Sequence, residues 1–152
     1  MLFLIAAPIG LAQPWTGAAG AGVPDESAAG IYQAGVGSVG YNASASTAPI
    51  ILRYVLTDTS ATGVPPWTTL AVDAYDPGAS SEIMARLFRL TPGGTNSMIK
   101  ACKSNDASVY ATSECPLLSS VNFTTGDTYT LEVTITRTST SVTPLFRAVR
   151  LF

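Results

Sequence analysis

The chain has 152 residues, 47% of them hydrophobic, with eight Lys and Arg against ten Asp and Glu and a formal net charge of −2. That length suits one domain with a core of its own, and basic residues that form no run exclude the positive field that nucleic-acid binding needs. Histidine is absent, which removes the usual general base near neutral pH, the commonest metal ligand and every histidine-dependent triad.

Residues 1–13, MLFLIAAPIGLAQ, are apolar and uncharged. They read as a secretion signal, with the small residues around Gly10-Leu11-Ala12 as the cleavage context. If they belong to the mature protein, Leu2, Phe3, Leu4 and Ile5 make a strand apolar on both faces, either donated to a neighbouring subunit's sheet or buried in the chain's own core. The run is too short for a bilayer-spanning helix, which takes about 20 residues. Residues 14–30 read as a Gly/Ala-rich connector, with GAAGAG at 17–22 as a flexible hinge and GVPDES at 22–27 as a turn. Residues 31–152 form the sandwich domain.

The first strand of that domain spans 31–41, where Gly35, Gly37 and Gly40 suggest a bulge or a close backbone approach. Residues 50–57 point Ile50, Leu52, Tyr54 and Leu56 to one side. A loop punctuated by Gly63, Pro65 and Pro66 follows, then a strand at 68–75 ended by the turn Asp76-Pro77-Gly78. EIMARLFRL at 82–90 sets Ile83, Met84, Leu87 and Phe88 at helical spacing. A short run between two turn signals in an otherwise all-β chain is nonetheless assigned to a strand. Residues 97–102 and 109–112 make a hairpin clipped by a disulfide between Cys102 and Cys115, worth roughly 3 kcal/mol by loop-closure entropy. At 128–136, Tyr129, Leu131, Val133 and Ile135 alternate with Thr and Glu, the pattern of a half-buried antiparallel strand. The closing run 145–152 is mixed on both faces, which requires either a bulge that shifts its register or a covered outer face.

These elements make an all-β, two-sheet antiparallel β-sandwich of about eight strands, jelly-roll or related Greek key. On GVPDES, on IILRYVLTDT followed by PPWTTLAV, and on TLEVTITRTSTSVTPLFRAVRL, the chain resembles bacterial exported jelly-roll modules, lectin-like and carbohydrate-binding sandwiches among them. The resemblance implies export and a sandwich fold; it brings no catalytic or ligand-binding motif.

Trp15, Tyr75 and above all Trp67, in a loop stiffened by Pro65 and Pro66, are candidates to stack on a sugar ring; the alternative for Trp67 is to plug the end of the core. Asp25 and Glu26 are the candidate calcium ligands, set against their ordinary role as turn formers on a wet surface. No other cofactor and no catalytic residue is expected. Two functions follow. The first is a non-enzymatic extracellular structural or adhesive protein, a pilus-like filament subunit assembled by N-terminal strand donation, whose partners are copies of itself or neighbouring surface proteins. The alternative is a secreted carbohydrate-binding, lectin-like module whose partner is a glycan. Neither involves nucleic acid or a membrane span.

Overall fold

Alternation in TYTLEVTITR builds the centre of one sheet. The computed structural model describes residues 14–42, 46–56, 67–106, 108–118, 123–124 and 126–152. The strands are β1 (Trp15–Ala18), β2 (Val23–Pro24), β3 (Tyr32–Gly35), β4 (Ser38–Tyr41), β5 (Ile50–Val55), β6 (Thr69–Tyr75), β7 (Ser81–Leu90), β8 (Asn96–Lys103), β9 (Tyr110–Pro116), β10 (Thr128–Arg137) and β11 (Leu145–Leu151). The helical turns among the described residues are 3-10 turns at Ala19–Ala21 and Glu26–Ala28. No helix of these residues is long and apolar enough to cross a membrane.

One sheet runs β2-β5-β10-β7-β8, the other β3-β4-β11-β6-β9 with β1 also paired to β11, and every pairing is antiparallel. Numbering the eight strands from β4 to β11 as one to eight, the sheets read one-eight-three-six and two-seven-four-five. That is the jelly-roll order. Tyr129, Leu131, Val133 and Ile135 of β10 face inward, against Phe146, Val149 and Leu151 of β11 in the shared core.

The segment at 82–90 is strand, as assigned. Ile83, Ala85 and Leu87 of β7 are fully buried with period two, and β10 and β8 pair it on both sides. Pairing on both edges satisfies its backbone and outweighs the local helical spacing.

Three expectations are corrected. The segments around the cysteines are not a hairpin: β8 is the edge of the five-stranded sheet and β9 the edge of the six-stranded one. β8 and β9 belong to different sheets, so the Cys102–Cys115 disulfide, with Cα atoms 5.6 Å apart, ties one sheet to the other. The stretch 14–30 is not a free connector. β1 pairs with Trp15 opposite Leu151 and Ala18 opposite Ala148, β2 pairs with β5, and Ala19 and Ala28 are fully buried. Small residues make this packing possible. A Cβ on Gly22 would stand 2.6 Å from Tyr54 Cζ, and one on Gly17 2.5 Å from Trp15 Cη2. Only the absence of a side chain lets this backbone lie on the two rings.

The stretch 31–41 is a hairpin and not one strand: Val36 and Gly37 connect β3 to β4, with Gly37 at φ 78°; the expected close backbone approach is at Gly40, where a Cβ would stand 2.8 Å from the Pro144 carbonyl oxygen. The bulge lies in β11. Phe146 pairs with Ala74 and Ala148 with Asp73, which leaves Arg147 as the extra residue. Inward positions switch there from even to odd, which accounts for the mixed faces of the closing run.

Candidate functional site

The outer face of the six-stranded sheet carries a groove of about 500 Å³, lined by Thr16, Gly37, Asp73, Ala74, Tyr110, Ala111, Thr112, Arg147, Ala148 and Arg150. Strand register explains its make-up. Asp73 on β6 lies between Ala148 of β11 and Thr112 of β9, and Thr16 of β1 lies opposite Arg150. Tyr75, the last residue of β6, faces Tyr110, the first of β9. Their ring centroids are 5.6 Å apart at an interplanar angle of 49°.

The bulge gives this face its third component. It aims Arg147 sideways, so that the guanidinium carbon lies 4.5 Å from the centroid of the Tyr110 ring. Such a cation–π contact holds an otherwise floppy side chain in one place. Arg150 donates from its Nη2 to Asp73 Oδ1 at 2.8 Å and to Thr112 Oγ1 at 3.3 Å, and the Thr112 hydroxyl donates to the same Asp73 oxygen. The result is an aromatic surface, half of it exposed at Tyr110 (48%), beside a pre-set row of donors and acceptors. Such a surface can stack on the C–H face of a sugar ring while the row exchanges hydrogen bonds with its hydroxyls.

A second, more apolar groove of about 590 Å³ lies over the five-stranded sheet and is lined by Trp15, Val23, Val55 and Phe88 among others. Its charged groups are already engaged with each other: Arg53 with Asp25 and Glu132, and Glu132 also with Arg86. Tyr54, beneath it, donates its hydroxyl at 3.2 Å to the carbonyls of Ala18 and Ala19, and burial pushes its phenol up. This groove offers a polar ligand little that is not spent on the fold.

The residues singled out from the sequence separate. Tyr75 does not line the first groove itself; it packs against Tyr110, which does. Trp67 does not line it either: it is 5% exposed, edge-on to Phe123 at 5.5 Å, and Phe123 in turn packs against Tyr129 at 5.0 Å. Its ring plugs the end of the core. Asp25 is the N-cap of the second 3-10 turn. Its carboxylate accepts from Ser27 N at 3.0 Å, from Ser27 Oγ at 2.7 Å and from Arg53. The two Ser27 bonds and the one from Arg53 hold its pKa down at about 2. Glu26 lies in the first turn of that helix. No group of three metal-ligating side chains occurs among the described residues. Leu2, Phe3, Leu4 and Ile5 lie outside the described residues, as do Pro65 and Pro66.

Neither Tyr110 nor Arg147 is marked out by the sequence; the alternation of Tyr110 with Thr112 and Glu114 along β9 is the signal of an outward face.

No protein-family model matches the chain, and no curated protein matches it in sequence. Among solved structures it is similar to the family 11 carbohydrate-binding module from Clostridium thermocellum, in complex with a β-1,3-1,4-mixed-linked tetrasaccharide. The two are 12% identical, with a TM-score of 0.48, over 97% of this chain and 93% of that one.

Proposed function

We propose that this protein is an extracellular, non-catalytic carbohydrate-binding module that holds a glycan in the groove over its six-stranded sheet. The observation that carries the reading is the Tyr110–Arg147 stack beside the Asp73–Thr112–Arg150 row: an exposed, fixed aromatic surface next to pre-paired polar groups. Prior fixation lowers the side-chain entropy lost on binding. A disulfide between the sheets fits an oxidising compartment. The filament reading has less support. Its hinge, 17–22, is packed against Trp15 and Tyr54, and its donated strand lies outside the described residues.

Affinity electrophoresis of the protein through gels containing soluble plant, microbial and animal polysaccharides tests the reading. At least one polysaccharide should retard the wild-type protein, and Tyr110→Ala should abolish that retardation while its melting curve stays near wild type. Unretarded migration through every gel, or equal retardation of Tyr110→Ala, would overturn it.

A further inference from the structure

The charges of the groove do not cancel. Two guanidinium groups, Arg147 and Arg150, meet one lining carboxylate, Asp73, in a chain whose overall charge is negative. Asp73 is already committed to Arg150, by an ion pair of 2.8 Å, and to Thr112. Arg147 takes part in no ion pair among the described residues; its contact is the face of Tyr110. Stacking on a ring leaves the guanidinium's in-plane N–H donors free to point at a ligand. The Nε of Arg150 is buried without a hydrogen-bond partner among the described residues, out of reach of a ligand; what Arg150 brings to the groove is the charge and the outer donors of its guanidinium. Glu114, the next outward residue of β9 after Thr112, is not among the lining residues.

A neutral sugar would use this surface poorly. Its hydroxyls can bond to arginine, but they leave a net positive charge uncompensated in the groove. A carboxylate satisfies it, because two parallel N–H donors match the two carboxylate oxygens, and charge-assisted pairs of this kind are the stronger hydrogen bonds. Resting on the carbohydrate-binding reading of the same groove, we infer that its ligand is an acidic glycan, a chain of uronic-acid residues whose carboxylate is received by Arg147 while a sugar ring lies against the part of Tyr110 that Arg147 leaves exposed. Arg150, held by Asp73 and Thr112, presents the adjoining donors.

The probes are polygalacturonate oligosaccharides and the same oligosaccharides after reduction of their carboxyl groups to primary alcohols, titrated calorimetrically at low and moderate salt. Carboxyl reduction should weaken binding about tenfold or more, equivalent to about 1.4 kcal/mol. Arg147→Gln should reproduce that loss on the unreduced ligand and remove most of the salt dependence, whereas Arg147→Lys should retain part of the affinity. Because Arg147 is exposed, both variants should melt like wild type. Equal binding of the reduced and unreduced oligosaccharides, or binding of neutral polysaccharides alone, overturns the acidic-ligand inference and leaves the carbohydrate-binding reading standing. Binding of dextran sulfate in preference to polygalacturonate overturns the choice of carboxylate. Failure of every glycan to bind overturns both.

Discussion

Cys102, on the edge strand of one sheet, is bonded to Cys115, on the edge strand of the other, with 13 residues of sequence separation between them. The bond therefore closes one side of the sandwich, where no strand pairing joins β8 to β9. A loop of that size should stabilise by about 3 kcal/mol through the unfolded state. The double variant Cys102→Ser/Cys115→Ser should unfold at a lower urea midpoint, with its unfolding free energy reduced by about that amount, measured against the wild type under oxidising conditions. An unchanged midpoint would show that the sheets are held together without it.

The N-terminal segment is fastened by Tyr54. Its ring meets Trp15 edge-on at 6.0 Å and Phe146 at 6.5 Å, and its hydroxyl reaches the Ala18 and Ala19 carbonyls. Tyr54 is 5% exposed and has no room to retreat from a new methyl group on Gly22. Gly22→Ala should cost about 1–3 kcal/mol by overpacking, and Tyr54→Phe about 1 kcal/mol through the lost hydrogen bonds. Hydrogen exchange should show the amides of β1 losing protection first in both variants. If Gly22→Ala is neutral, 17–22 moves aside freely and the connector reading is restored.

The jelly roll was legible where the side-chain period was clean. Tyr129, Leu131, Val133 and Ile135 on β10 and Ile50, Leu52 and Tyr54 on β5 declare their inward face by alternation alone, and the register of the two strands agrees with it. β7 was legible only through its context, because Ile83, Met84, Leu87 and Phe88 satisfy a helical period as well. The cysteines announced their bond but not the elements it joins; closeness in sequence suggested a hairpin, whereas the chain changes sheets between them. Small residues at 17–22 looked like slack, since nothing local reveals that their lack of side chains matches the rings of Trp15 and Tyr54.

The groove was least legible. Tyr75 and Tyr110 are brought together by the β6–β9 register, a long-range pairing that neither segment encodes by itself. Arg147 was visible only as a break in the alternation of the last strand. Its direction comes from the bulge, and the value of that direction comes from the ring it covers.

Acid should expose the role of Asp25. Its carboxyl titrates at about 2 in the folded protein, because Ser27 and Arg53 bond to the ionised form, against about 3.9 in an unfolded chain. A folded-state pKa below the unfolded one makes a contribution to stability that is present above about pH 4 and is lost as the pH falls towards 2. Asp25→Asn should therefore lower the melting temperature at pH 6 and differ less from wild type at pH 2. The contribution is small because the group is solvated. A difference that stays constant between pH 6 and pH 2 would assign the cost of the variant to something other than this titration.

Trp67 and Tyr110 divide stability from binding. Trp67 is buried edge-on against Phe123, so Trp67→Ala leaves a cavity at the end of the core and should cost about 3–5 kcal/mol. Tyr110 is half exposed and touches Tyr75 and Arg147; its truncation should cost no more than about 1 kcal/mol of stability. Binding should rank the two variants in the opposite order. Below its lowered unfolding midpoint, Trp67→Ala should keep the wild-type affinity for whichever polysaccharide retards the protein, while Tyr110→Ala should lose it. Loss of binding in Trp67→Ala while its circular dichroism remains native would place the glycan at the end of the sandwich, next to Phe123, and not over the outer face of the six-stranded sheet.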